Sequence, residues 1–196
     1  MRIAIDIDGV LRDTFLKIEQ IYQKFFIDEL ELVDDDFKYE IIEPYDTPNY
    51  ENHFKFKNDE EYISFIHEEF AMQIFGHAPS SELSTFYTLS DLMKKYKDKV
   101  EFLLISKQIG KTKPATLFFV SKFGCEIDKV VFYNKLTESK IWDEFDVLVT
   151  ASPDLLSQDK NKTLIKFERT YNLSLETEHS IQSLKELDEK IEKLID

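Results

Sequence analysis

Residues 2–7 form a short apolar run that stops at Asp8-Gly9, the pattern of a buried strand entering a tight turn. Over residues 14–26 the apolar positions Phe15, Ile18, Ile21, Tyr22, Phe25 and Phe26 recur at helical spacing and predict an amphipathic helix. Residues 28–58 lose that regularity. They are acidic and aromatic, with "DDD" at 34–36 and prolines at 44 and 48, and read as loops with short elements. Residues 59–75 are helical again, with acids in the first turn as the helix dipole favours and Gly76 as the stop. A further helix is predicted over 84–96. Apolar strands are then predicted at 99–106, 129–133, 146–150 and 163–167. Between them lie a helix opened by Pro114 and ended at Gly124, and a short helix over 139–144. A closing helix over 180–195 turns Ile181, Leu184, Leu187, Ile191 and Leu194 inward.

Apolar strands alternating with helices point to an α/β fold, a mostly parallel sheet with helices on both faces. Ligands of such sheets bind beyond the carboxyl ends of the strands. The polar residues that stand there are Asp6 and Asp8 after the first strand, Ser106 after the second, and Thr150 to Asp154 after the fourth. The stretch 14–98 is too long for a simple crossover. It predicts a small, mainly helical cap inserted into a core made of 1–13 and 99–196.

Composition narrows the partners. A formal net charge of −14 over 196 residues speaks against a nucleic-acid or anionic-membrane binder, since both need a cationic surface. A phosphorylated small molecule must then be drawn in by local positive charge. The single Cys125 provides neither an intramolecular disulfide nor a zinc cluster and reads as a small core residue. The apolar start is interrupted by acids and lacks a cationic leader, so a cytoplasmic protein is expected. No run approaches the roughly 20 apolar residues of a membrane span. His53, His67, His77 and His179 show no metal-ligand spacing and read as ordinary histidines, with His77 alone near the cap's return to the core. The aromatic residues of the cap, among them Tyr39, Tyr45, Tyr50, Phe54 and Tyr62, read mainly as packing for a small subdomain.

Two carboxylates at the end of a buried strand need a partner or a function. "DIDGV", residues 6–10, resembles the first motif of the haloacid dehalogenase (HAD) superfamily of phosphatases. The resemblance implies a Rossmann-like core in which Asp6 is the nucleophile, forming an aspartyl-phosphate with Mg²⁺, and Asp8 transfers protons. Gly9 would let the turn bring backbone N–H groups to the phosphoryl oxygens. "FLLIS" matches the second motif, making Ser106 a phosphate-binding hydroxyl, with Lys107 following it. "KQIGKTKPATLFFVSKFG", "SKIWDEFDVLV" and "LIKFERTYN" resemble the cytosolic 5′(3′)-deoxyribonucleotidase branch and make a nucleoside monophosphate the implied substrate class. The motif lysine is then Lys140, with Lys135 as a rival. The fourth motif departs: "VLVTASPD" has Thr150 and Ala151 where the family carries an acidic pair, and Asp154 fits only a later acidic position. Asp6, Asp8 through its carbonyl, Thr150 and Asp154 remain as the implied Mg²⁺ ligands, one carboxylate short. Full activity and a catalytically weakened protein that binds a phosphorylated ligand or a protein partner are both open on this pattern.

Overall fold

The computed structural model describes residues 1–28, 37–158 and 161–195. The "DDD" run at 34–36 lies outside them. Six strands form one sheet in the order β3-β2-β1-β4-β5-β6. They are β1 (Arg2–Asp6), β2 (Glu101–Lys107), β3 (Val130–Tyr133), β4 (Val147–Thr150), β5 (Thr163–Phe167) and β6 (His179–Ile181). Every neighbouring pair runs parallel. The chain winds outward from β1 to β3, returns to place β4 beside β1, and winds outward the other way. This is a doubly wound, Rossmann-like α/β fold whose winding reverses between β1 and β4.

Side chains along β1 alternate between two buried clusters. Ile3, Ile5 and Ile7 face one, which also holds Val149, Phe119 and Ile191. Ala4 faces the other, with Leu103, Trp142 and Phe145. Both clusters are closed to water, so a strand this apolar is stable only at the centre of the sheet. Helices α4 (Thr112–Lys122) and α7 (Leu187–Ile195) and the short α5 (Glu138–Ile141) and α6 (Pro153–Leu156) lie in the connections around it.

The inserted stretch divides in two. Helix α1 (Thr14–Tyr22) starts where Asp13 accepts from the Leu16 amide at 3.1 Å. With α2 (Asp59–Ile63) and the turns after it, it encloses a separate aromatic cluster of Ile18, Tyr22, Phe54, Phe65 and Phe75. Helix α3 (Thr85–Lys95), within the stretch expected as cap, buries Leu89 and Leu92, and Tyr96 after it, in the cluster of β1. Tyr96 donates to Asp188 of α7 at 2.7 Å. The packing therefore returns to the sheet before residue 98.

Two predicted helices differ from the structure. Residues 59–75 are α-helical only to Ile63 and continue as wide turns, with Phe70 N–H reaching Phe65 O and His77 N–H reaching Met72 O. The closing helix begins at Leu187, because residues 179–181 pair beside β5 as a sixth strand. A three-residue strand is too short to register as alternation, and Ile181 is buried under either reading.

Leu89→Ala tests the assignment of α3 to the sheet. It is expected to lower global stability by about 2–5 kcal/mol, as deletion of a core leucine does, seen as a lower urea midpoint in a single transition. A midpoint shift confined to a separate early transition would return α3 to the cap.

Candidate active site

The site is built where the winding reverses. Ile5 pairs in register with Val149, so Asp6 and Thr150 are lateral neighbours on one face at the carboxyl ends of β1 and β4. Thr150 Oγ1 donates to Asp6 Oδ2 at 2.7 Å and accepts from the Ser152 amide at 3.0 Å. Both residues are buried.

Past Asp6 the chain turns through Gly9 at φ +80°, which glycine alone adopts without strain. The turn is also tight: a Cβ on Gly9 would stand 2.6 Å from Tyr171 Oη and 2.8 Å from Ala151 Cβ. The Gly9 N–H bonds to Arg12 O at 3.0 Å, and its carbonyl accepts from Arg169 Nε at 2.6 Å. Of the backbone N–H groups that the turn at Gly9 is expected to bring to phosphoryl oxygens, that of Gly9 itself is engaged within the turn.

The turn hands Asp8 to a ring of donors. Its Oδ1 accepts from Arg12 Nη2 at 2.6 Å, Arg12 Nε at 3.1 Å and Thr14 Oγ1 at 2.8 Å. Its Oδ2 accepts from Ser106 Oγ at 2.8 Å and Gln108 Nε2 at 3.0 Å. Ser106, expected to bind phosphate, is fully buried and gives its hydroxyl hydrogen to Asp8 instead. Arg12 is fully buried as well, donating to Phe75 O at 2.6 Å and Thr116 Oγ1 at 3.1 Å.

These contacts drive the two carboxyls apart. Burial raises Asp6 to about 8, helped by the Asp8 charge and only partly offset by the Thr150 hydrogen bond. Burial acts on Asp8 too, but the Arg12 guanidinium and the hydroxyls of Ser106 and Thr14 outweigh it and hold Asp8 below its ordinary value.

Asp6, Asp8 and Gly9 open onto a cavity of about 1390 Å³ between the sheet end and the aromatic cap. Lys107, Lys135 and Asp154 line it; Lys140 does not. Lys135 comes two residues after the end of β3, at the rim where ligands of parallel sheets bind, whereas Lys140 is exposed one element later on α5. Of the histidines, His67 lines the cavity and His77 does not.

Several residues of the site left little trace in the sequence. Arg12 was visible only as a charge interrupting the apolar run after Gly9, and Gln108 only as a polar residue two past Ser106. Asn172 is buried, with its Nδ2 donating to Ala151 O and Phe167 O, both at 2.9 Å. It ties the loop after β4 to the end of β5. Its place in an aromatic-Asn pair was legible, but its task was not.

The donor set falls short of what Mg²⁺ asks. That ion takes near-octahedral oxygen coordination, usually with one or two carboxylates. Thr150 is engaged in both directions, the Asp8 carboxylate is saturated, and Asp6 and the exposed Asp154 are the remaining implied acids. Among the described residues no group of three or more His, Cys, Asp or Glu side chains is placed to hold a metal. The described side chains alone therefore do not complete the coordination of a resident Mg²⁺.

No family model matches the chain, and no curated protein matches it. Among solved structures, CbbY from Rhodobacter sphaeroides in complex with phosphate aligns over 95% of each chain at 13% identity, with a TM-score of 0.49. So distant a likeness leaves the site to be read from its own side chains. Among the described residues no helix is long and apolar enough to cross a membrane.

Two substitutions test these contacts. Arg12→Leu strips the buried partner from Asp8 and is expected to cost about 3–5 kcal/mol in urea denaturation; adding Asp8→Asn should recover a large part of that loss. Independent, additive losses would mean that the pair is not coupled. Thr150→Asp sets a second carboxylate beside Asp6, and calorimetric titration should show Mg²⁺ bound at least about tenfold more tightly than by wild type. Equal affinities would mean that Asp154 already completes the ligand set.

Proposed function

We propose that the protein is a phosphomonoesterase of the HAD type acting on a small phosphorylated molecule, with nucleoside monophosphates the first class to try. The observation that carries this reading is the pair itself. Two carboxylates from one turn stand at the reversal point of the sheet and face one cavity, with environments that separate their protonation. The motif resemblance at residues 6–10 and the sheet order support it.

In this reading an Asp6 carboxylate oxygen bonds to phosphorus as the ester oxygen departs. Asp8 gives the leaving oxygen a proton, then takes one from the water that releases Asp6. The chemistry needs one proton on the pair, held by Asp8. Between the lowered value of Asp8 and about 8 for Asp6, the pair does hold one proton, but on Asp6. Attack therefore requires that proton to pass to Asp8, and the two titrate as a unit.

A second reading, a protein that binds a phosphorylated ligand without turning it over, is favoured by the five hydrogen bonds that fix Asp8 as an anion. A nucleoside monophosphate panel, run with and without Mg²⁺, separates the two: binding without release of phosphate supports the second.

For the first reading, kcat/KM should hold level below about pH 8 and fall above it, because the pair loses its one proton as pH rises through the Asp6 value. A profile that rises through pH 8 would make the fully ionised pair the active form. Asp6→Asn should abolish turnover and yet stabilise the fold. The raised value means that wild-type stability falls as pH climbs from 3.8 through about 8, so the variant's advantage in Tm should grow over that window and then level off. Unchanged turnover would remove Asp6 as nucleophile.

A further inference from the structure

The chain has nine tyrosines, and their hydroxyls sort by whether the protein supplies a partner. Tyr22 donates to Lys55 O; Tyr39 donates to Glu61 at 2.7 Å, Tyr45 to Glu19 at 2.8 Å and Tyr96 to Asp188 at 2.7 Å. Tyr87 is 79% exposed and meets solvent. The remaining four, Tyr50, Tyr62, Tyr133 and Tyr171, have no hydrogen-bond partner for their hydroxyls among the described residues, and all four line the cavity that holds Asp6 and Asp8. None of the four hydroxyls is fully enclosed by protein. A hydroxyl in a part-buried aromatic wall ordinarily finds a partner. Four that do not, all in one place, indicate that their partner is a ligand.

Three of these feel the charge of the aspartates and come from three separate parts of the fold. Tyr133 ends β3, in register with Lys107, and is only 3% exposed. Tyr171 follows β5 and presses its hydroxyl against the Gly9 turn. Tyr50 comes from the cap, where Phe15 spaces it from Tyr171 with ring centroids at 4.8 and 5.6 Å. All three phenols feel the Asp8 charge, and burial holds each well above its ordinary value, so they remain neutral donors at any working pH.

We propose that Tyr50, Tyr133 and Tyr171 form a neutral hydrogen-bonding cradle for the anionic oxygens of the ligand's phosphoryl group. The donor balance argues for an acceptor-rich ligand. Asp8 is already supplied by Arg12, Thr14, Ser106 and Gln108, and one oxygen of Asp6 by Thr150. The three phenolic hydrogens have no acceptor within hydrogen-bond distance among the described residues. A tetrahedral oxyanion has enough lone pairs for three donors arriving from three sides, and needs no resident cation to meet them. The inference rests on the phosphoryl-ligand reading above and adds to it the groups that grip the ligand.

The test is calorimetric titration of inorganic phosphate into the full chain near pH 7.5, once with EDTA and once with Mg²⁺. Wild type should bind phosphate in EDTA. Tyr133→Phe and Tyr171→Phe should each weaken binding by about tenfold, the loss of one hydrogen bond to a charged acceptor. Tyr39→Phe, whose hydroxyl is engaged by Glu61 away from the cavity, should bind as wild type does. Unchanged Tm in the three variants would separate loss of a donor from loss of the fold. Phosphate binding that is equal in wild type and both cavity variants overturns the cradle and leaves the phosphoryl-ligand reading standing. No binding by wild type in either medium overturns that reading, and the cradle with it.

Discussion

The contact between Arg12 and Asp8 is the constraint around which the site is arranged. A guanidinium with no exposed surface must be paired and hydrogen-bonded, or its burial costs several kcal/mol. Here the partners come from every part that meets at the cavity: Asp8 from the β1 turn, the Phe75 carbonyl from the cap's return, and Thr116 from α4. The rings of Phe75 and Phe119 lie 5.0 and 5.2 Å from the same guanidinium. Displacing the cap at this point breaks a charged hydrogen bond and the Phe75 cation–π contact together, so cap position and Asp8 geometry are mechanically coupled.

That commitment decides the state of Asp6. Because Arg12 is engaged by Asp8, the neighbouring carboxyl faces a fixed negative charge with only a neutral hydroxyl, Thr150, as its direct side-chain donor. A second carboxylate at position 150 would add to the repulsion and ask for a cation. Threonine asks for none, and a protonated Asp6 resolves the repulsion instead. The identity of residue 150 and the placing of Arg12 thus act jointly: one puts a neutral hydroxyl beside Asp6, the other commits the Arg12 guanidinium to Asp8. What remains is a carboxyl pair sharing one proton.

The sheet was legible in the sequence because buried parallel strands are continuous apolar runs. The stretches at 2–7, 99–106, 129–133, 146–150 and 163–167 all became strands, with edges shifted by a residue or two. β6 was not legible, since three residues that include His179 and Ser180 carry no alternation and their pairing depends on β5 being in place. Asp6 and Asp8 were legible as carboxylates in the wrong company, and Thr150 as a position where the motif resemblance implies an acid. The partners of Asp8 were not. Arg12, Gln108 and Thr14 lie near it or near Ser106 in the chain, yet nothing in their spacing says that they converge, because that convergence is created by the left-handed turn at Gly9 and the register of β1 with β2. The same holds for the tyrosines. Read along the chain, Tyr50 is one of many cap aromatics and Tyr133 the end of an apolar strand; only the folded hydrogen-bond inventory sets them apart from Tyr39 and Tyr45.

The charge of the whole chain bears on how such a cavity recognises an anion. At −14 the protein repels phosphate at long range, so electrostatic steering does not assist encounter. Recognition must then be made at contact, by groups whose strength does not depend on the distant field. Phenols suit this. They add no charge to a site where Asp8 is already neutralised by Arg12, and they are rigid, with few rotamers to freeze on binding. A lysine in the place of Tyr133 would sit beside Asp6 and draw its proton away, undoing the single-proton state of the pair. Neutral donors leave that state intact while still offering hydrogens to a phosphoryl oxygen. The tyrosine wall and the protonated Asp6 are therefore mutually compatible consequences of one arrangement, in which the carboxyl pair keeps one proton and neutral hydroxyls line the same cavity.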